Sequence, residues 1–130
     1  MVAASAEQAV IFSLTPGNAG DGPEGRELME KIKGISHIQF CDILMDRAYE
    51  GNATREKAFE CHFNPIVPPN PKRLEPWQYD EDTYKKRNEI ERLFRRIKRF
   101  RRVFTRYDKT DIMYAAFVTL ALIFDLIKLR

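Results

Sequence analysis

Apolar and polar positions follow two periods along this chain, and the change from one to the other marks its elements. Residues 9–18, AVIFSLTPGN, alternate around β-branched and aromatic side chains before a Pro-Gly stop, which predicts a strand running into a turn. The opening MVAAS predicts a strand paired with it. Residues 23–34, PEGRELMEKIKG, have Pro first, Glu24 and Glu27 early, Lys31 and Lys33 late, and Gly34 after them, the signature of a short helix. CDILMD (41–46) is an apolar run too short for a helix and is predicted as a buried strand that ends in Asp46. NATREKAFECH (52–62) predicts a second helix capped by Asn52, and PIVPP (65–69) a last short strand cut off by its prolines. A Pro-rich connector, 70–82, leads to a long helix over 83–109, and an apolar helix over 111–130 closes the chain. Strands interleaved with helices over 1–69 make the expected class α/β, in one domain with the two long helices and no internal repeat.

Charge sharpens that picture. The net charge is only +3, yet residues 84–109 hold twelve Lys or Arg against three acids, a net +9, and the rest of the chain sums to −6. A local excess of this size points to a polyanionic partner at one surface. The apolar run from Ile112 to Phe124 is shorter than the roughly 20 residues that span a bilayer, so a buried helix and no membrane association are expected. Cys41 and Cys61 show no metal spacing and no positioned base, so buried thiols in a reducing cytoplasm are expected. His37 and His62 stand alone, without the clustered ligands that a metal site requires.

Within the basic segment one carboxylate stands out. On a continuous helix at about 100° per residue, Tyr84, Arg87, Glu91 and Lys98 fall within roughly 60° of one another. This stripe is expected at the border between a core face of Ile90, Phe94, Ile97 and Phe104 and a cationic face of Arg92, Arg95, Arg99 and Arg102. A carboxylate at such a border is partly desolvated yet reachable, as a metal ligand must be. The plainer reading is a charged amphipathic helix with Glu91 paired to Arg87 and Arg95 at i±4, worth about 0.2–0.5 kcal/mol per pair. Asp46 has its plain reading too, a hydrogen bond to the following turn, RAYEGN. Together, Asp46 and Glu91 can converge on one divalent ion beside a phosphate-binding surface.

The segments TPGNAGD, MDRAYEG, PIVPP and YKKRNEIERLFRRIKRFRRVFTRYDK resemble the C-terminal part of bacterial insertion-sequence transposases with a DDE catalytic domain. Tyr84, Arg87, Glu91 and Lys98 match the Y-x2-R-x3-E-x6-K signature of one large group of these enzymes. The resemblance implies a ribonuclease-H-like (retroviral-integrase-like) fold, with Asp46 as the second catalytic carboxylate and Glu91 as the third. It implies two Mg2+ ions that activate water or a DNA 3′-hydroxyl for phosphodiester cleavage and strand transfer. Tyr84, Arg87 and Lys98 would hold DNA phosphates near the cleavage site, with sequence-independent contacts from cations such as Arg95, Arg99 and Arg102.

One member of the pattern has no counterpart. The family's first catalytic Asp lies on a central first strand upstream of the segment that MVAAS resembles, and Asp21 reads as a turn or helix-cap residue instead. The expectation is a partial catalytic domain that lacks its first strand, inactive in DNA cleavage alone. Its implied partners are DNA, an upstream transposase polypeptide and a second copy in a homodimer, in a bacterial cytoplasm at the nucleoid. The alternative is a noncatalytic DNA-binding remnant that interferes with a full-length enzyme. Trp77, in the connector, is expected to pack over the adjoining helix, with stacking on a displaced base as the other reading.

Overall fold

The computed structural model describes residues 1–5, 8–35 and 39–128, so His37 lies outside the described residues. They follow the expected α/β order and form two compact units. The middle unit is Thr15–Arg87, and the terminal unit joins Met1–Leu14 to Asn88–Arg130.

In the middle unit the apolar runs become β3 (Cys41–Leu44) and β4 (Phe63–Ile66), paired in parallel from Cys41↔Phe63 to Leu44↔Ile66. Parallel neighbours need a crossover, which α2 (Asn52–Glu60) supplies. The carbonyls of His62 and Ile66 accept from Cys41 N–H (3.3 Å) and Met45 N–H (3.0 Å). Even-numbered residues of β4 therefore face β3, and Pro65, which has no N–H, faces the other edge at no cost to the ladder. The strand starts earlier than expected and ends before Pro68. Asn52 is the first residue of α2 and Gly51 occupies the cap position. His62 turns the chain from α2 into β4 at φ 64°, a left-handed conformation in a place where Gly is the usual residue.

Helix α1 (Asp21–Ile35) begins at Asp21, two residues before Pro23, and places Asp21 and Glu24 in its first turn, where carboxylates suit the helix dipole. Its Leu28, Met29 and Ile32 are buried, as are Thr54, Ala58 and Cys61 at α2 and Phe63, Ile66 and Val67 at β4. Arg26 Nη1 donates to Thr54 Oγ1 (3.1 Å), and Lys33 Nζ to the Glu60 carbonyl at the end of α2 (3.1 Å). Cys61 is buried as expected; Cys41, at the start of its strand, is exposed, which corrects the expectation of two buried thiols.

In the terminal unit β1 (Val2–Ser5) pairs antiparallel with β2 (Gln8–Ile11), with Val2 opposite Ile11. β2 stops short of the expected run to residue 18, and the chain turns at Pro16, whose carbonyl accepts from Ala19 N–H (2.9 Å). Met1, Ala3 and Ala9 pack on a core of Leu93, Ile97 and Ala121. Leu93 and Ile97 belong to α4 (Asn88–Ile97) and Ala121 to α6 (Asp111–Lys128).

The single helix expected over 83–109 is divided. Its pieces are α3 (Glu81–Tyr84), a 3-10 turn at Lys85–Arg87, α4, a turn at 98–100, and α5 (Arg101–Phe104). Asp80 caps α3 by accepting from the N–H groups of Asp82 and Thr83, both at 3.0 Å. Like charges crowd at the second break, 98–100. Arg95, Lys98, Arg99 and Arg102 stand at i,i+3 and i,i+4, and each such pair costs a helix about 0.2–0.5 kcal/mol. Across the break, tertiary contacts hold the pieces: Tyr114 of α6 donates its hydroxyl to the Val103 carbonyl (3.0 Å).

One ion pair fixes α4 against α6. Arg96 Nε donates to both Asp125 oxygens, at 3.0 and 2.9 Å, with side chains only 22% and 11% exposed. Removing one partner of a buried pair strands the other charge, at a cost of about 3–5 kcal/mol, whereas replacing both by apolar residues is often neutral. Arg96→Met is expected to destabilise the chain by about 3 kcal/mol, the low end of that range because the pair is not fully dry. Arg96→Met with Asp125→Leu should recover most of the loss, as measured by urea denaturation.

A second expectation concerns the 3-10 turn Arg47–Tyr49, which rests on α1 through Tyr49 and Gly25. A Cβ at position 25 would lie 2.7 Å from Tyr49 Cε1. Gly25→Ala gains about 1 kcal/mol of helix propensity, but displacing a packed ring costs about 1–3 kcal/mol. A net loss of stability is expected, with a non-additive double-mutant cycle against Tyr49→Ala.

Candidate nucleic-acid interface and its carboxylates

The core face of α4 decides which cations point outward. At about 100° per residue from Glu91, Leu93 lies at about 200° and Ile97 at about 240°, and these two are the buried residues of the helix. Phe94, at about 300°, is 36% exposed, and Phe104, on α5, is 71% exposed, so the expected core face of Ile90, Phe94, Ile97 and Phe104 is corrected to one centred on Leu93 and Ile97. On the same wheel Arg95 and Arg92 fall at about 40° and 100°, and Lys98, whose N–H still bonds to the Phe94 carbonyl, at about −20°; Arg99 lies in the turn that follows. Glu91 therefore sits within the cationic face, between Lys98 and Arg95, and not at its border with the core. It is half-buried there.

The cations of the segment are not equivalent. Arg96 is held by Asp125. Arg92 pairs with Glu89 of its own helix (3.0 Å). Arg102 donates to Asp108 (3.4 Å), its guanidinium 4.4 Å from the Phe117 ring centre. Arg106 reaches Asp111, and Arg101 donates to the Tyr107 hydroxyl (3.1 Å). Arg95, Lys98 and Arg99 are exposed, and among the described residues none of them makes an ion pair. On α4 and the turn after it they are the cations left available to a phosphate backbone; Lys86 and Lys109, elsewhere in the segment, are likewise exposed and make no ion pair among the described residues. Spacing alone did not separate them from Arg96 or Arg102, because their partners come from α6 and the segment before it. The one signal in the sequence was Asp125, a single acid inside an apolar helix.

The signature residues lie on both sides of the break. Tyr84 ends α3, its ring edge-to-face with Tyr79 at 5.6 Å between centres, and the Arg87 guanidinium lies 5.7 Å from the Tyr84 ring centre. Both belong to the middle unit, whereas Glu91 and Lys98 belong to the terminal unit. Lys98 extends α4 by one bond, its N–H donating to the Phe94 carbonyl (3.0 Å). A 3-10 turn advances about 120° per residue, so the common stripe of a continuous helix does not carry through residues 85–87.

Asp46 lies two residues past β3 and caps the turn Arg47–Tyr49, its Oδ1 accepting from Ala48 N–H (2.9 Å). This is the local hydrogen bond that its position after a strand suggested, and it fixes the carboxylate's direction. The seat of the turn is well held. Glu50 accepts from Arg73 Nε (2.8 Å) and Asn70 N–H (3.4 Å), and the bond from Arg73 holds its carboxyl below the usual range. Burial raises the pKa of Tyr49, with smaller contributions from Asp21, Asp46 and Glu24. Trp77 donates to the Val67 carbonyl (2.9 Å), and the guanidinium of Arg55, on α2, covers its ring at 3.7 Å. That arrangement is packing, but against α2 and not the adjoining helix that the connector leads into.

Among the described residues, no three His, Cys, Asp or Glu side chains are grouped to hold a metal. Asp46 and Glu91 offer the hard oxygen donors that a divalent cation such as Mg2+ prefers, but they stand on different units. No described helix is long and apolar enough to cross a membrane.

Comparison with known proteins bears on these residues. The family model for the transposase DDE domain matches residues 2–126. The chain is 33% identical over 108 residues to a Brucella ovis protein named "Putative transposase for insertion sequence element IS6501", covering 82% of this chain and 79% of that protein. No solved structure matches the chain. A family whose chemistry generally implies a divalent metal and whose members act on DNA accords with hard carboxylates and a set of unpaired outward cations. The chain belongs to the insertion-sequence transposases with a DDE domain.

Proposed function

We propose that the chain serves DNA transposition by holding the phosphate backbone of a DNA end on the outward face of α4, with Arg95, Lys98 and Arg99 as its principal contacts. The single observation that carries this reading is that these three cations are exposed and unpaired among the described residues, while the neighbouring arginines are occupied. Tyr84 and Arg87 extend the contact along the strand. Asp46 and Glu91 are the proposed carboxylates for the divalent metal of the family, which when bound supplies an activated oxygen for attack on the phosphodiester. The bond from Ala48 N–H directs Asp46, and Glu91 is delivered among cations that bind the substrate. The crossover β3–α2–β4 supports a ribonuclease-H-like reading of the α/β architecture. A second reading, DNA binding without cleavage, is favoured by the lack of a third metal-ligating side chain beside either carboxylate among the described residues.

Log affinity for DNA is expected to fall linearly with log salt, by about 0.9 for each phosphate neutralised. Arg95→Gln, Lys98→Gln and Arg99→Gln together should lower that slope by about 2.7, whereas Arg96→Gln, whose charge is spent on Asp125, should change it by less than one contact's worth. Fluorescence anisotropy with a labelled duplex reads both. A triple variant with an unchanged slope would remove this face from the DNA surface.

The metal assignment has its own test. Glu91→Gln is expected to bind DNA at least as tightly as the parent, because it removes a negative charge from a cationic face. If the catalytic reading holds, cleavage of an insertion-sequence end in Mg2+ or Mn2+ will be lost in Glu91→Gln and in Asp46→Asn. Binding with no cleavage under any divalent metal, even when an upstream transposase polypeptide is added, would favour the noncatalytic reading.

A further inference from the structure

Helix α2 buries Thr54 and Ala58, and at about 100° per residue Arg55 stands at the rim of that buried face. A long side chain at such a rim lays its stem along apolar surface and must place its charged head beyond it. Arg55 places its head on Trp77, the guanidinium carbon 3.7 Å from the ring centre. At that distance the group lies flat on the ring, because turned on edge it would drive a nitrogen into the ring's van der Waals surface. A flat guanidinium keeps its N–H groups in its own plane, where they form a rigid fork directed past the ring. The ring is fixed in turn by its bond to the Val67 carbonyl (2.9 Å), so the fork is set before any ligand arrives.

That fork holds nothing. Among the described residues Arg55 makes no ion pair, its guanidinium donates no hydrogen bond, and its Nε is buried without an acceptor. Burial lowers its pKa, the charge of Arg73 lowers it further, and Glu50 offsets them only in part. Glu50 is already engaged, accepting from Arg73 Nε (2.8 Å) and Asn70 N–H (3.4 Å). Arg73 leans on the same indole, 4.8 Å from its ring centre. Arg47, exposed and likewise without an ion pair among the described residues, acts on Glu50 more weakly than Arg73 does. Three guanidinium groups therefore gather about one carboxylate, an excess of positive charge that no other described acid neutralises. A half-buried cation without an internal counter-charge is costly to the fold, and the anion that removes the cost has to come from outside.

A planar fork of donors matches the paired oxygens of a phosphate or a carboxylate. The place decides between them, because Arg47 opens the turn that Asp46 caps, beside a carboxylate proposed to act on a phosphodiester. We infer that Arg55 and Arg47 form a second phosphate-binding site for DNA, on the middle unit, with Trp77 as the platform that orients Arg55. Glu50 serves the site by holding Arg73, which would otherwise be a third unpaired cation on the same ring. The inference rests on the reading that the chain binds DNA, and it uses none of the cations assigned to that task on α4.

The test is fluorescence anisotropy of the full chain with a labelled duplex across a salt series. Arg47→Gln, at an exposed side chain with no ion pair to lose, is expected to lower the slope of log affinity against log salt by about 0.9. Arg47→Gln with Arg55→Gln should lower it by about 1.8. Lys31→Gln, which removes an exposed cation of the same unit already paired with Glu27, should change it by less than one contact's worth. In the background of Arg95→Gln, Lys98→Gln and Arg99→Gln, the middle-unit pair should again remove about 1.8, which separates the two surfaces. If those three substitutions leave the slope unchanged while the middle-unit pair lowers it, the α4 reading fails and this inference stands. A slope that the pair leaves unchanged overturns the inference, and a thermal midpoint that falls at the same time would show Arg55 serving packing alone. An equal effect from Lys31→Gln also overturns it, and a parent chain that binds no DNA overturns both readings.

Discussion

The bond from Arg96 to Asp125 sets the azimuth of the basic helix, and the chemistry proposed for the chain depends on that azimuth. A helix with cations on most of its circumference has no strong preference for which of them faces solvent. Burying Leu93 and Ile97 narrows the choice, and a guanidinium that shares its Nε–H between both oxygens of a nearly buried carboxylate removes the remainder. Once Arg96 is committed inward, Arg95, Lys98 and Arg99 face outward together with Glu91. The pair contributes specificity of packing more than stability, since a pair of apolar residues would hold the two helices about as well.

A comparable constraint acts on the other carboxylate. Asp46 sits in a short turn that has few contacts of its own, and its position is borrowed from neighbours: Tyr49 against the bare face of Gly25, and Glu50 held by Arg73 and Asn70. The connector that supplies Arg73 and Asn70 is pinned in turn by Trp77, its indole bonded to Val67 and covered by Arg55. A segment rich in proline and polar residues thus contributes rigidity to a carboxylate more than twenty residues upstream of it.

The terminal unit combines a strongly basic segment with a strongly apolar helix, and the two properties support each other. The inner face of α6 gives α4 a surface to bury against, so that a helix with a run of repelling cations forms at all. The division of that segment into α3, α4 and α5 shows the limit of this support. After α4, continuity fails at 98–100, where like charges crowd, and resumes where Phe100 and Val103 reach the core.

The sequence alone determined the element order, the α/β class, the location of the excess charge and the family. Each rests on local information: the hydrophobic period, the Pro and Gly stops, and four residues at fixed spacing. Asp46 and Glu91 were legible as carboxylates of interest for the same reason. The break in the basic helix was not legible, because a 100° wheel presumes the continuity that it is used to test. Nor was the choice of Leu93 over Phe94 for the core, since two adjacent apolar residues differ only in what lies opposite them. The separation of the arginines into bound and available ones was only partly local. Their partners, Glu89, Asp108 and Asp125, stand 3, 6 and 29 residues away, and only folding brings the last of them within hydrogen-bond distance.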